Sequence, residues 1–201
     1  MASIKSRTLI NRMGNLVSAT GPHVVEDLNF SKSNVYQQWC DMHLHWLHKY
    51  TLWEEADQIA LDNPQASIYD QGGKVMGLFA GDTKDILAAS IAVVPVEGSK
   101  FRWEIVKFAV IPDYQSKGMG GIIFRSAVSY CTLRMQEEVN MLRTIPALQA
   151  SIPPKGIIQM DSSSKLVSAV RLYQNHGFKL VEDHVGRYVT ADIFLELEVE
   201  L

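Results

Sequence analysis

Cysteine is scarce in this sequence, because Cys40 and Cys131 are the only two among its 201 residues. A small secreted protein that depends on disulfides carries several cysteine pairs, and two thiols in separate helix-like segments do not supply such a framework. The sequence therefore predicts two free thiols and a protein of the reducing cytoplasm.

Long apolar runs and an excess of basic charge are also missing. The longest mainly apolar stretch, residues 86–94, is far shorter than the roughly 20 residues of a membrane-spanning helix. Lys and Arg number 19 while Asp and Glu number 22, which gives a formal net charge of −3. Binding to nucleic acid needs a basic surface. We therefore expect neither a membrane nor a nucleic acid as a partner.

Acidic residues are absent before Glu26, although Lys5, Arg7 and Arg12 occur in this stretch. Such a composition is typical of an organellar transit peptide. The other interpretation is an exposed first strand at residues 7–12 followed by a polar loop. We favour the strand, and organellar targeting by residues 1–25 stays open as the alternative.

What is present is the composition of an ordinary globular protein, with 47% hydrophobic and 20% charged residues. A chain of this length can bury a sizeable core. We expect residues 1–201 to form a single domain, with an N-terminal strand and helices within residues 1–65.

The spacing of apolar residues predicts helices at residues 34–50, 52–61, 117–141 and 165–175. It predicts further strands at residues 75–80, 86–94, 102–110, 156–160, 178–184 and 188–199. Short links between consecutive strands indicate an antiparallel meander, whereas a helix between two strands indicates a parallel pair. The expected fold class is α/β (α+β), with a mixed, mostly antiparallel central sheet and helices on both faces.

Turn and cap residues set the expected limits of these elements. Ser31 or Ser33 is a candidate N-cap of the first helix, and residues 161–164 are candidates for the last. Gly177 is expected to end that last helix in the left-handed conformation. Residues 81–85 predict a hairpin loop, and the proline-rich residues 144–155 predict a loop insertion at the surface.

Residues 101–120 are the most informative stretch, because a β-branched and aromatic run leads into a glycine-rich helix start. The motif Gln115-Ser116-Lys117-Gly118-Met119-Gly120 follows directly after the turn at residues 112–113. A helix start offers unpaired N–H groups and partial positive charge to an anion, and glycine lets the backbone approach it closely. The sequence therefore predicts a site for a phosphate-bearing ligand, with a plain tight turn as the alternative.

This motif, Gln-x-x-Gly-x-Gly after a strand that ends in Ala-Val, resembles the pyrophosphate loop of the GNAT superfamily of N-acetyltransferases. Leu172-Tyr173-Gln174-Asn175-His176-Gly177-Phe178 resembles the Leu-Tyr-x-x-x-Gly-Phe signature that follows the fourth helix of that family. Residues 188–197 resemble the last strand of its small bacterial members. The resemblance covers residues 70–201.

The resemblance implies acetyl-CoA as the co-substrate and implies no metal. The loop would hold the diphosphate, and the end of the central strand would pair with the pantetheine arm where that strand splays from its neighbour. Many members carry an asparagine at the position of Leu166, so Ser163 or Ser164 would have to replace it. The residues implied in cofactor binding are Phe108, Ala109, Val110, Gln115, Ser116, Lys117, Gly118, Met119, Gly120 and Gly121.

Two residues are implied in catalysis. Glu104 occupies the place where many members carry a general base, and strict alternation would put it on the same strand face as Val106, Phe108 and Val110. The alternative is a solvent-facing glutamate paired with Arg102 or Lys107. Tyr173 would protonate the departing thiolate of coenzyme A, or it is an ordinary core tyrosine.

The expected activity is transfer of an acetyl group to a primary amine, most simply that of a small molecule, by direct attack on the thioester. The alternatives are a protein lysine or N-terminal amine as the acceptor, or a coenzyme A sensor without turnover. The early helices would cover the acceptor site, and a homodimer is compatible with the family. His45 and His48 share a helix face, but a zinc site needs a third ligand.

Overall fold

The structure, a computed structural model, describes residues 8–10, 16–18, 24–80, 85–182 and 188–201. Its helices are α1 (Ser33–Tyr50), α2 (Glu55–Asp62), α3 (Met119–Arg143) and α4 (Val167–Asn175). Its strands are β1 (Thr8–Ile10), β2 (Leu16–Ser18), β3 (Val24–Asp27), β4 (Lys74–Ala80), β5 (Ile86–Pro95), β6 (Arg102–Val110), β7 (Lys155–Ser162), β8 (Lys179–Leu180) and β9 (Ile193–Glu200).

The nine strands within these ranges form one sheet in the order β1-β2-β3-β4-β5-β6-β7-β9-β8. β6 and β7, which α3 connects, pair in parallel. The other neighbouring strands pair antiparallel. The predicted mixed and mostly antiparallel sheet is therefore confirmed.

The helices cover both faces of the sheet, as expected. α1 packs against β5 and β6 on one face, and Trp39 and Leu87 are fully buried there. α3 packs against β4, β5, β6 and β7 on the other face, where Phe124 and Ile158 are fully buried. α4 joins this second core through Tyr173, whose ring stacks on Phe124 at 5.3 Å between centroids. The sheet thus separates two apolar layers, and β6 lies between them.

Most predicted elements occur within a few residues of their expected limits, and β6 spans residues 102–110 as predicted. Two strands were missed, because β2 and β3 are short pieces that follow the expected first strand. The second helix begins at Glu55, since Glu54 caps it through a capping box with Asp57. Most of the hairpin loop expected at residues 81–85 lies outside the described residues. Residues 146–151 form an exposed 3-10 turn.

Two predicted helix caps are wrong. The N-cap of α1 is Lys32, and Ser31 instead hydrogen-bonds through its hydroxyl to Asn29 at 2.6 Å. α4 begins at Val167, after an N-cap at Leu166, because Ser164 donates its backbone N–H to Asp192 at 2.6 Å rather than capping the helix. Gly177 follows α4 with φ +90°, which confirms its predicted left-handed conformation.

Candidate active site

A cleft opens between β6 and β7, the two parallel strands. The register pairs Arg102, Trp103 and Glu104 with residues 157–159 and ends there, although β6 continues to Val110 and β7 to Ser162. Beyond Glu104 the two strands diverge, which leaves backbone groups of β6 facing the gap. This is the splay that the resemblance implied for the central strand.

A β-bulge in β6 changes which side chains face the two layers. Lys107 has φ +43°, and the register with β5 shifts between Ser90 and Ala92, so that Lys107 and Phe108 together oppose Ile91. Before the bulge, Val106 packs with the α1 layer. After it, Phe108 packs with the α3 layer. An extra residue in a strand reverses the faces to which the later side chains point. The contacts of Val106 and Phe108 agree with such a reversal.

The expectation that Glu104 shares a face with Phe108 and Val110 is therefore wrong. Its neighbours Trp103 and Ile105 pack with the α3 layer, so Glu104 points to the α1 side together with Val106. The strict alternation on which the prediction relied does not hold across the bulge at Lys107. Glu104 nevertheless lines the cleft, which reaches both faces at the splay.

Glu104 is buried, with 1% of its surface exposed, so the interpretation of a solvent-facing glutamate is also wrong. Arg102, one of its suggested partners, donates to Glu196 at 2.6 Å and to Gln159 at 2.8 Å. Lys107, the other, forms an ion pair with Asp57. Burial of a carboxylate is costly unless it is paired or has a function, and Glu104 lines the cleft beside the splay.

Tyr173 reaches the same cleft from α4. Its side chain is 6% exposed and shares a hydrogen bond with the side chain of Ser162 at the end of β7. Burial raises the pKa of Tyr173 above its ordinary value of 10.0, so the phenol holds its proton at neutral pH. The cleft therefore brings together Glu104 and Tyr173, two groups that are far apart in the sequence.

The glycine motif forms the start of α3 beside the end of β6. Gly118 is the N-cap with φ +81°, and a Cβ built on it would meet no atom within 4 Å among the described residues. Gln115, Ser116, Lys117 and Gly118 are exposed, whereas Met119 is buried and anchors the helix in the core. The first turn of α3 reads Met-Gly-Gly-Ile and carries no carboxylate. Open backbone donors with no acidic residue in that turn fit a diphosphate.

Several backbone features shape this loop. Ser116 adopts φ +57°, and the Lys117 ammonium lies 5.1 Å from the centroid of the Tyr114 ring. Gly120 and Gly121 lie in the first turn of α3, where a Cβ on Gly120 would lie 3.4 Å from Cζ of Phe108. The loop thus packs closely on the end of β6 while it keeps its outer side open.

The lining of the cleft also includes Glu54 and Asp57, to which the sequence analysis assigned no role. Asp57 accepts the Lys107 ammonium with one oxygen and the backbone N–H of Glu54 with the other, at 3.1 Å. α2 is thereby tied to the bulge of β6. Glu54 and Asp57 form a capping box in the structure, although Glu-x-x-Asp differs from the usual Ser/Thr-x-x-Glu/Gln signature. The long-range ion pair and the left-handed Lys107 likewise have no signal in the sequence pattern.

His43 also belongs to this lining and is neutral. Its Nε2 atom is 3.0 Å from Oγ of Ser90, and burial, with a smaller contribution from the Lys107 charge, lowers the pKa of His43 to about 3. His45 and His48, the two histidines weighed as metal ligands, are exposed. Within the ranges that the structure describes, no group of three or more His, Cys, Asp or Glu could hold a metal ion.

A pair of hydrogen bonds joins the two sides of the cleft. Glu54, before α2, accepts the backbone N–H and the hydroxyl of Thr190, each at 2.6 Å. Leu52 and Tyr188 line the cleft on either side of this contact. The cleft has a volume of about 180 Å³. Since Glu54 and Thr190 are 136 residues apart in the sequence, this contact could not be predicted from local patterns.

A mixed sheet with helices on both faces, a splayed parallel pair and an open helix start beside the splay define a GNAT-type α/β fold. The sequence profile of the Acetyltransferase (GNAT) family matches residues 33–153, and the chain belongs to that family. A search of curated proteins gives no match. Members of this family use acetyl-CoA. Among the described residues, no helix has both the length and the apolar character needed to cross a bilayer.

Solved structures agree on the fold. An acetyltransferase of the GNAT family from Staphylococcus aureus Mu50 has a TM-score of 0.65 at 14% identity, over 88% of this chain and 99% of that chain. An aminoglycoside 6'-N-acetyltransferase complexed with coenzyme A has a TM-score of 0.58 at 13% identity, over 87% and 96%. The ribosomal-protein-S18-alanine N-acetyltransferase from Escherichia coli has a TM-score of 0.57 at 13% identity, over 90% and 96%.

Proposed function

We propose that this protein transfers the acetyl group of acetyl-CoA to the primary amine of a small molecule, which attacks the thioester directly. The observation that carries this proposal is that Glu104 and Tyr173 line the same cleft, at the splay beside the start of α3. A candidate base and a candidate acid thus converge where an acyl group delivered by the glycine loop would arrive.

The cofactor residues act mainly through their backbones. N–H groups of residues 116–120 bind the diphosphate, and Lys117 adds a positive charge. Phe108 and Val110 turn their backbone groups to the gap, because Ala109 pairs with Ser90 and Ile111 donates to Ala88 on the β5 side. These groups pair with the pantetheine arm as an added strand would. Met119 and the glycines that follow it hold the start of α3 against Phe108.

Coenzyme A supplies an activated acetyl thioester when it is bound. An alkylammonium acceptor has a pKa near ~10 and must lose a proton before it can attack. Glu104 accepts that proton, directly or through one water, and the cleft excludes bulk solvent around it. Orientation of a free amine against the acyl carbon contributes roughly 7–11 kcal/mol, so a covalent enzyme intermediate is not required. Cys131, fully buried with burial raising its pKa, takes no part.

Tyr173 holds a proton in the same cleft. Its raised pKa keeps the phenol protonated, and the hydrogen bond with Ser162 orients the hydroxyl. In this arrangement Tyr173 donates its proton to the sulfur as the carbon–sulfur bond breaks, which yields the neutral thiol. The acceptor nitrogen loses two protons on the way from ammonium to amide. Glu104 passes the first to solvent, and the second, which the nitrogen loses as the tetrahedral intermediate collapses, restores the phenol of Tyr173 through solvent.

The small volume of the cleft and the contact across it support a small acceptor. The Glu54–Thr190 hydrogen bonds join its two sides, and about 180 Å³ holds a compact amine more readily than a peptide segment. Neighbours of the same fold include one described as acting on an aminoglycoside and one on a ribosomal-protein alanine. Both acceptor types are therefore compatible with the fold, and the small volume of the cleft favours a small molecule. The two free cysteines support a cytoplasmic protein.

The test is release of the coenzyme A thiol from acetyl-CoA with a panel of small amines and of peptides with free amines, with calorimetric titration of coenzyme A alongside. We expect coenzyme A to bind and at least one small amine to accelerate thiol release. Acceleration by peptides alone would refute the small acceptor. Binding of coenzyme A without release for any amine would favour a sensor over an enzyme.

A further inference from the structure

Val110 is the last residue of β6. Its carbonyl oxygen would accept a hydrogen bond from a pantetheine arm that paired with β6 as an added strand does. Its neighbour Ile111 donates to Ala88 of β5 at 3.0 Å, and Ala109 is in register with Ser90. Backbone groups of consecutive strand residues point in opposite directions. The carbonyl of Val110 therefore faces the cleft, at the point where the pairing of β6 with β7 has already ended.

In the structure, a side chain from the lining of the cleft already donates a hydrogen bond to that carbonyl oxygen. The indole Nε1–H of Trp46, in α1, donates to the Val110 oxygen at 2.9 Å. The side-chain amide of Gln115, in the glycine loop, lies at 3.5 Å from the same oxygen, at the weak limit of a hydrogen bond. A carbonyl oxygen has two lone pairs, so these two donors together use its accepting capacity.

Contacts with neighbouring residues of α1 hold the Trp46 indole in the lining of the cleft. Trp46 is half-buried, and its ring stacks with Tyr50 at 6.0 Å between centroids. The ammonium of Lys49 lies 4.6 Å from the centroid of the Trp46 ring. Trp46 also lines the acceptor cleft. It therefore contacts both the strand end proposed for the pantetheine arm and the space proposed for the amine.

We propose that Trp46 competes with the pantetheine arm for the carbonyl of Val110, and that binding of the cofactor displaces its indole N–H. Trp46 is then a positioning residue that couples the two substrate sites, because the ring that leaves Val110 is also a wall of the acceptor cleft. This inference rests on the proposed function, in that it needs coenzyme A to bind along β6.

The test compares Trp46→Phe, which keeps an aromatic ring and removes the N–H, with the wild-type protein in calorimetric titrations. Two ligands are used: coenzyme A, and ADP, which carries a diphosphate without a pantetheine arm. Removal of one competing hydrogen bond should make coenzyme A bind about three- to tenfold more tightly in the variant. The affinity for ADP should not change. Trp53→Phe is the matched control, because Trp53 lies just beyond α1 and packs against His48 at 5.6 Å.

A tryptophan that only stabilised the fold would give a different result. Unchanged or weaker binding of coenzyme A to the Trp46→Phe variant, or equal tightening for ADP, would overturn the inference. Failure of the wild-type protein to bind coenzyme A at all would instead refute the proposed function.

A second readout follows the environment of the indole itself. Coenzyme A should shift the tryptophan fluorescence of the wild-type protein and of the Trp53→Phe protein, whereas ADP should not. The shift should be lost in the Trp46→Phe variant. An equal shift with both ligands, or a shift that the variant retains, would contradict the displacement of Trp46.

Discussion

Glu104 and Phe108 lie on one strand four residues apart, yet their side chains face opposite layers of the protein. The bulge at Lys107, with φ +43°, places them so. Phe108 packs with the aromatic rings of the α3 layer, at 5.8 Å from Phe124, while Glu104 points to the α1 side. The side chains of Glu104 and Phe108 therefore lie on different faces of β6, and both residues line the cleft at the splay.

Replacement of Glu104 by Gln tests the proposed base. General-base catalysis contributes about 10²–10⁴-fold, so we expect kcat/KM for the amine to fall about hundredfold or more at neutral pH. The loss should shrink at high pH, where more of the amine is already deprotonated. The measurement is a pH profile of kcat/KM, with Glu137→Gln as the control because Glu137 is exposed on α3 and pairs with Arg134. An unchanged profile would remove Glu104 from the mechanism.

Replacement of Tyr173 by Phe tests the proposed acid. The ring contacts remain, so the affinity for coenzyme A should be nearly unchanged, while kcat should fall about hundredfold because the thiolate must leave without a proton. Since burial raises the pKa of Tyr173, the wild-type kcat should show no loss below pH 10 from this group. Tyr130→Phe, in the same layer but half-buried beside Trp103, is the control. Full activity of Tyr173→Phe would assign the residue to the core alone.

Two glycines give a matched test of the phosphate loop. Gly118 and Gly98 have φ +81° and +75°, and a Cβ on either would meet open space among the described residues. Alanine at either position should lower the free energy of unfolding by a similar amount, about 1–2 kcal/mol, from left-handed strain. Coenzyme A binding should weaken only for Gly118→Ala, because only that glycine lies at the start of α3. Equal affinity in both variants would place the diphosphate elsewhere.

His43 predicts a pH dependence of stability. Its pKa is about 3 in the folded protein and 6.5 when exposed, so the unfolded chain binds more protons between these values. The free energy of unfolding should therefore fall as the pH drops below 6.5, by about 1.4 kcal/mol at pH 5.5 relative to pH 7.5 from this group. Urea unfolding at both pH values measures it. The difference between them should shrink by this amount in His43→Gln and stay as in the wild type in His45→Gln.

The sequence predicts the elements whose signals are local. β6 begins and ends as expected because a polar link precedes it and Ile111-Pro112 follows, and Gly177 ends α4 in the conformation that glycine favours. The glycine-rich motif likewise predicted the first residue of α3 to within two positions. In each of these cases the residues that determine the structure are adjacent in the chain.

Long-range contacts account for what the sequence did not predict. Ser164 bonds to Asp192 rather than to the helix that follows it, so α4 starts later than its serines suggest. The bulge at Lys107 depends on an ion pair with Asp57 and on the register with β5, neither of which alters the apolar pattern of β6. The contact between Glu54 and Thr190 joins residues that are 136 positions apart in the sequence.

The most direct test of this account is a crystal structure of the protein with coenzyme A. We predict that the diphosphate accepts hydrogen bonds from the backbone N–H groups of residues 116–120 and that the sulfur lies in the cleft between Glu104 and Tyr173. An ordered coenzyme A bound elsewhere, or one whose sulfur lies outside that cleft, would contradict it.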